Sequence, residues 1–256
     1  MPHTPPPDVS LPDHAVPGLP DDGLVVVLSG AGLSAASGVP TFRGAGGWWR
    51  GHAATDLATP EAFAANPDLV LTFYETRREA LREIQPNDGH RALVQLQAAL
   101  GPERVVLVTQ NVDGLLQVAA QEAGLPIDLM EMHGGLWTVR CARNEDHPHL
   151  PVERSALDAR GECAVCGAAM RPDIVWFGEM PFHMPRIEAA LGRCSLFLSV
   201  GTSGVVYPAA GFTAFARSVG AQCIEVNPEP SGGDFHTVIA EGAEVALPRL
   251  VEGWLG

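Results

Sequence analysis

Four short apolar runs punctuate the chain, at Leu24–Leu28, Val105–Val108, Leu196–Val200 and Cys223–Val226. Each gives way at once to small or polar residues, the pattern of a buried strand entering a loop. Between them, apolar positions recur at helical spacing over Pro67–Ile84, His90–Leu100, Pro185–Leu191 and Ala209–Val219. Strands alternating with helices predict an α/β fold, a Rossmann-like doubly wound parallel sheet covered on both faces. Ligands of such sheets sit beyond the carboxyl ends of the strands, so the loops that follow the strands should carry the chemistry.

Two stretches break the alternation. Residues 48–85 are helical throughout, and residues 140–171 are polar, weakly periodic and hold three cysteines. Both read as insertions that build a smaller lobe, with the cleft between the lobes as the predicted active site. The larger domain then comprises residues 22–47, 86–139 and 172–256. Residues 1–21 carry closely spaced prolines and read as a disordered leader. No apolar run approaches the ~18–20 residues that a membrane span needs, so no membrane partner is expected.

Charge narrows the partners. Against 30 acidic residues stand 16 basic ones, a formal charge of −14, and every basic residue is arginine. Nucleic-acid binding needs clustered cations and is not expected. The acidity could favour basic, lysine-bearing partners, although solubility accounts for it more simply. Without lysine, the chain can carry no acyl-lysine of its own. The cysteines are Cys141, Cys163, Cys166, Cys194 and Cys223. An odd count without a secretory signal points to a reducing, cytoplasmic compartment rather than a disulfide framework.

The first strand runs into Ser29-Gly30-Ala31-Gly32-Leu33-Ser34-Ala35, which contains G-x-G-x-x-A. That spacing lets a backbone approach a pyrophosphate at a helix start, and it equally suits any tight strand-to-helix turn. A hydride-transfer dehydrogenase would continue directly into a second strand. Here Gly38-Val39-Pro40 breaks the helix and Thr41-Phe42-Arg43-Gly44 opens a loop.

Read together, these residues resemble the signature loop of the sirtuin family. Thr109-Gln110-Asn111-Val112-Asp113-Gly114-Leu115 resembles its second motif, and His133-Gly134, Gly201-Thr202-Ser203 and Asn227-Pro228-Glu229 follow in the family's order. The resemblance spans about Gly23 to Leu250. It implies an NAD-consuming protein deacylase in which the acyl oxygen of an acyl-lysine attacks the ribose carbon as nicotinamide leaves. His133 would be the general base acting on a ribose hydroxyl, and an imidazole pKa near about 6.5 suits that task. The products would be free lysine and an O-acyl-ADP-ribose.

The resemblance also implies roles for the matching positions. Gly30, Ala31, Gly32 and Ser34 would hold the pyrophosphate. Phe42 would cover the nicotinamide region and Arg43 would contact the phosphate and ribose. Gln110, Asn111 and Asp113 would line the nicotinamide and ribose pocket, with Asn111 and Asp113 counted beside His133 as catalytic. Gly201, Thr202, Ser203, Asn227, Glu229 and Ala243 would hold the adenosine half. Val175, Trp176, Phe177, Gly178 and Glu179 would form a strand that pairs with the acyl-lysine peptide, although an aromatic strand of this kind also suits a core. Ala58 with Tyr74 and Arg77, spaced Tyr-x-x-Arg, resembles the class III branch, which prefers malonyl, succinyl and glutaryl groups. A guanidinium and a phenol on one helix face can grip a distal carboxylate. In the bland alternative Tyr74 is core and Arg77 pairs with a neighbour.

Family members carry two Cys-x-x-Cys pairs that bind structural zinc in a ribbon-like module. Here Cys163-Ala164-Val165-Cys166 is intact, but the first pair reads Cys141-Ala142-Arg143-Asn144. Cys141, Cys163 and Cys166 are the expected ligands, with His147, His149 or Asp146 open as the fourth. Other readings are a plain deacetylase, a mono-ADP-ribosyltransferase on the same NAD site, and a non-catalytic binding module. A monomer is expected from the resemblance.

Overall fold

The computed structural model describes residues 18–40, 48–49, 51–155 and 159–256. Thr41, Phe42 and Arg43 lie outside the described residues, as does most of the proline-rich leader. From its described end the chain is already anchored. Leu19 packs on the core and the Pro20 carbonyl accepts a hydrogen bond from Arg104 at 2.8 Å, so the leader's predicted boundary at residue 21 falls slightly late.

In chain order the first half holds β1 (Leu24–Ser29), α1 (Gly32–Ala35), β2 (Trp48–Trp49), β3 (His52–Ala53), α2 (Ala54–Leu57), α3 (Pro60–Ala65), α4 (Pro67–Leu81) and α5 (Asp88–Leu100). Next come β4 (Val105–Thr109), α6 (Leu115–Ala123), β5 (Leu129–Glu131), β6 (Gly134–Cys141), β7 (Leu150–Pro151) and β8 (Met170–Ile174). The chain closes with α7 (Met184–Leu191), β9 (Cys194–Val200), α8 (Phe212–Ser218), β10 (Gln222–Val226), β11 (Thr237–Ile239) and α9 (Ala243–Leu255).

Six strands form one parallel sheet in the order β11-β10-β9-β1-β4-β5. The order reverses at β1, which lies between β9 and β4, and the loops after these three strands meet at one edge. β1 is buried along its whole length, as a central strand with both faces covered must be. Leu33, Leu93, Leu107, Leu198 and Leu247 pack on one face of the sheet, and Val26, Met132, Ile187 and Phe197 on the other. The four strands read from the sequence are all present. The edge strands β5 and β11 are short and half-exposed, which leaves them without an apolar run to read.

The smaller lobe has its own core, built from Leu57, Phe63, Val70, Phe73, Tyr74, Leu136, Ile174 and Trp176. Its helices start on strong signals. Thr59 caps α3 through the Ala62 amide and Asn66 caps α4 through the Leu69 amide, each followed by proline at the first helical position. Residues 48–85 are not helical throughout, because β2 and β3 pair as a small antiparallel ladder. Residues 140–171 lie within a three-stranded antiparallel sheet, β7-β6-β8. Buried Arg140, Arg171 and Asp173 interrupt the apolar pattern of its strands, which hides them from a periodicity reading.

Candidate active site

The turn after β1 and the turn after β9 lie against each other. Gly30 N–H donates to the Val200 carbonyl at 2.9 Å and Gly32 N–H to the Gly201 carbonyl at 2.8 Å. A Cβ on Gly32 would stand 2.6 Å from the Gly201 Cα, and one on Gly30 would stand 2.9 Å from the Gly201 oxygen. These glycines are therefore required by the contact between two loops, whatever else they face.

Behind this turn Ser34 is fully buried and joins three side chains. Its hydroxyl donates to Asp113 Oδ2 at 2.7 Å, and Asn111 Nδ2 and His90 Nε2 each lie 3.2 Å from its oxygen. The orientation of each group follows from its other partner. His90 Nδ1 faces the Asn87 amide at 3.2 Å and must accept, so Nε2 carries the proton and donates to Ser34. Burial pushes the His90 pKa down to about 4, which keeps that ring neutral. Asn111 Nδ2 also donates to the Gly30 carbonyl at 3.0 Å, which leaves its Oδ1 with no donor among the described residues. Asp113 Oδ1 accepts the Leu115 amide at 2.9 Å. Burial raises its pKa, against the pull of that amide, the Ser34 hydroxyl and the cations Arg154 and Arg77. His90 and Asn87 are absent from the residues singled out in the sequence. Their trace there is Asn-x-x-His at a helix start, which the structure resolves as a capping box.

His133 lies between β5 and β6, half-buried, with Nδ1 3.1 Å from the Gln110 carbonyl. A carbonyl only accepts, so Nδ1 holds the proton and the Nε2 lone pair is left open. No described residue bonds Nε2. Burial lowers the His133 pKa below the ordinary imidazole value, with the Gln110 carbonyl acting the other way, so the expectation of an unshifted base is corrected downward. Neutral, oriented and open at one nitrogen, it is a competent general base near neutral pH.

The predicted cofactor residues that follow β9 and β10 lie at the same edge. Gly201 turns with φ 58 and its N–H donates to the Val226 carbonyl at 2.8 Å. Asn227 is buried, its Nδ2 donates to the Thr202 carbonyl at 2.9 Å, and its Oδ1 faces the Glu229 amide at 3.4 Å. Ser203 is half-buried, Glu229 exposed, and Ala243 is buried at the first turn of α9, beside Gly89 of α5. Thr202 also borders a cavity of about 440 Å³ with Leu28, Ala210, Arg217 and Phe235.

On the smaller lobe Tyr74 is 3% exposed and Trp176 2%, and the indole Nε1–H donates to the Tyr74 hydroxyl at 2.8 Å. Arg77 is half-buried one turn along α4, and its guanidinium carbon lies 5.6 Å from the Phe73 ring centre. Desolvation lowers its pKa while Tyr74 and Asp113 act against that, so Arg77 stands within electrostatic reach of both. The run Val175–Glu179, expected to be a strand, follows β8, which ends at Ile174, and is not itself a strand. Val175 N–H donates to the His133 carbonyl and Phe177 N–H to the Ala58 carbonyl, at 3.0 and 2.9 Å. The Glu179 carboxylate then takes the Trp176 N–H at 2.8 Å, and Gly178 turns the chain with φ 90. This short run thus touches both His133 and Ala58 through its backbone.

In the cysteine module one histidine joins the three cysteines. Ligand atoms of Cys141, His147, Cys163 and Cys166 all lie within 4.8 Å of one another. Cys141 and Cys166 Sγ are 3.6 Å apart, and Cys163 Sγ is 3.3 Å from His147 Nδ1. Burial opposes ionisation of Cys141, but the Arg143 and Asn144 amides, with His147 and Cys166, bring its thiol down to about 6. Three thiols, one of them easily ionised, and an imidazole are a donor set of the kind that could hold zinc. His149 is occupied elsewhere, with Nδ1 2.7 Å from Asp173 Oδ2 and Nε2 3.0 Å from the Glu145 carbonyl. Asp146 is exposed and outside the group.

A parallel sheet whose strand-end loops gather a buried Ser-Asn-Asp network beside an open histidine defines a nucleotide-dependent α/β enzyme. The Sir2 family profile matches residues 30–208, and the chain belongs to that family. An NAD-dependent protein deacylase of Salmonella typhimurium is 43% identical over 247 residues, covering 95% of this chain and 88% of that protein. One of Vibrio cholerae is 46% identical over 235 residues, covering 89% and 92%. The solved structure of a Sir2 homologue with NAD is similar at a TM-score of 0.79 and 33% identity, over 90% of this chain and 88% of that one.

Proposed function

We propose that this Sir2-family enzyme, an NAD-dependent protein deacylase, acts on acylated lysines in proteins or peptides and favours acyl groups that end in a carboxylate, such as succinyl and malonyl. Acetyl-lysine is a second substrate. The observation that carries the acyl preference is the placing of Arg77. Its half-buried guanidinium shares a face of α4 with the buried Tyr74 and feels the charge of Asp113, so a cation and a phenol border the reaction site. A charge-assisted hydrogen bond in such a desolvated position is worth roughly 1.5–3 kcal/mol, enough to decide between a carboxylate and a methyl group.

The residues fit NAD as co-substrate, because among the described residues nothing bonds His133 Nε2 or Asn111 Oδ1, where a ribose would need an acceptor. NAD supplies the activated ribose carbon that exchanges nicotinamide for the acyl oxygen. His133 accepts a ribose hydroxyl proton on Nε2, and the resulting imidazolium keeps its Nδ1–H on the Gln110 carbonyl. Asn111 orients the ribose through Oδ1 while Gly30 and Ser34 hold its amide. Asp113, braced by Ser34 and the Leu115 amide, would place its carboxyl group at the nicotinamide end. Zinc, held by Cys141, His147, Cys163 and Cys166, would brace the module and take no part in acyl transfer.

The test incubates one peptide in succinyl-lysine and acetyl-lysine forms with NAD, following nicotinamide and peptide mass. The reading expects both peptides to lose the acyl group and the succinyl form to give the higher kcat/KM. Turnover of the acetyl form alone reduces the enzyme to a deacetylase. ADP-ribose mass added to protein with neither peptide deacylated would establish the transferase instead.

A further inference from the structure

We propose that Trp176 is a positioning residue for acyl specificity: its indole N–H fixes the direction of the Tyr74 hydroxyl, so that the phenol proton is presented to the acyl group. The inference rests on the carboxyl-acyl reading above and adds the residue that orients its phenol.

The direction of the bond is not a matter of choice. An indole nitrogen only donates, so at 2.8 Å the Tyr74 oxygen must accept. The phenol has a single proton, and among the described residues no acceptor receives it. Its charged neighbour one turn along α4, Arg77, is itself a pure donor. Burial, against the Trp176 hydrogen bond, pushes the Tyr74 pKa up to about 12, so the proton stays on the oxygen throughout the working range. Phenol and guanidinium are thus two donor groups on one face of α4. The chemical group that answers both is an anionic acceptor, and a carboxylate at the end of an acyl chain qualifies where an acetyl methyl does not.

Trp176 is held firmly enough for this task. Phe63 packs on its ring at 5.3 Å between centroids, and the Arg171 guanidinium carbon lies 3.2 Å from the ring centre. Arg171 is fixed in turn by the Glu179 carboxylate, at 2.6 and 2.9 Å, and by the Ile174 carbonyl at 2.8 Å. The same carboxylate accepts the Trp176 N–H. With backbone, ring face and ring edge each fixed, the indole N–H has one place to point. A phenylalanine at this position would keep the packing but leave the hydroxyl free to rotate.

The experiment measures kcat and KM for succinyl-lysine and acetyl-lysine forms of one peptide in the full-length wild type, Trp176→Phe, Tyr74→Phe and the double variant. Damage to peptide docking falls on both peptides alike, so the succinyl/acetyl ratio of kcat/KM isolates the orientation effect. In Trp176→Phe that ratio is expected to fall about tenfold, chiefly through the succinyl KM. The double variant should show no lower ratio than Tyr74→Phe alone, because the indole acts through the phenol. An unchanged ratio in Trp176→Phe, or losses that multiply in the double variant, overturns the proposal. If Trp176→Phe does not fold, benzothienylalanine incorporated at position 176 keeps the ring volume without the N–H, and the same ratio decides. A wild type that does not turn over the succinyl peptide defeats the carboxyl-acyl reading itself, a result visible before any variant is compared.

Discussion

The two lobes hold their functional side chains in different ways. At the edge of the parallel sheet, His133 is oriented by the Gln110 carbonyl, Asn111 by the Gly30 carbonyl and Asp113 by the Leu115 amide. Each of the three has a backbone anchor at a strand end or helix start, beside the Ser34 hydroxyl that Asn111 and Asp113 share, so much of the geometry is inherited from the sheet. On the smaller lobe the anchors are side chains: Trp176 on Tyr74, Glu179 on Arg171, and Arg160 on Asp68 and Glu75 across the lobe. Backbone anchors are insensitive to substitution at the anchoring residue, whereas side-chain anchors are lost with one mutation. The reaction should therefore be robust to changes around its site, and acyl selection should be easily retuned.

The largest effect should come from the reaction base. His133→Ala should cut kcat/KM by about 10²–10⁴-fold for succinyl and acetyl peptides alike, leaving their ratio nearly unchanged. Because burial holds the His133 pKa below the ordinary value of about 6.5, the acid limb of the wild-type kcat/KM profile should lie below that pH. Steady-state rates across pH check both statements, and a ratio that shifts strongly in His133→Ala would show that the two lobes are not separable.

Zinc tests the side-chain rule at the cysteine module. Wild-type protein purified without chelator or added metal should hold close to one zinc per chain by elemental analysis. His147→Ala removes the proposed fourth ligand and should weaken retention against a chelator by at least the roughly 10–100-fold that loss of a supporting partner costs. Equal retention in the variant would return the fourth ligand to an open question. His149→Ala serves as the control, since its ring faces Asp173 rather than the thiols.

Acyl choice follows. Arg77→Met keeps an unbranched apolar stem while removing the guanidinium, and with it both the charge and the contact of Cζ with the Phe73 ring. The succinyl/acetyl ratio of kcat/KM should fall about 30-fold, in keeping with loss of one charge-assisted contact. Equal losses on the two peptides would sink the carboxylate role and leave Arg77 a structural residue.

The same difference between lobes explains what could be read from sequence. The sheet strands at Val105–Val108 and Leu196–Val200 are continuous apolar runs, and the loops after them carry short motifs whose residues act near where they stand in the chain. His133, Asn111 and Asp113, singled out on those motifs, lie together at one edge of the sheet for that reason. His90 was not, because its role depends on Ser34, far away in sequence, and nothing local distinguishes a capping histidine from a network one. Trp176 and Tyr74 meet across the smaller lobe from separate elements, and β6 and β8 hide behind buried Arg140, Arg171 and Asp173. His147 stood among three candidates in the sequence. Only the fold separates it from His149, by turning one ring to the thiols and the other to a carboxylate.

The smallest effect concerns stability rather than rate. His90 is buried and its folded-state pKa is near 4, below the value of about 6.5 it regains when the chain unfolds. Between those values the unfolded chain binds a proton that the folded protein refuses, so stability falls as pH drops through that window. The loss attributable to this one group should be about 1 kcal/mol between neutral pH and about pH 5.5. His90→Gln keeps a donor for Ser34 but cannot titrate. It should begin less stable at neutral pH, because the Asn87 capping contact is weakened, and then lose less on acidification than the wild type. Urea unfolding of both proteins at the two pH values gives the difference directly, with the other titrating groups cancelling between them. Parallel losses would mean that His90 takes up its proton in the folded state, and the Ser34 network would then have to rearrange to accommodate a doubly protonated ring.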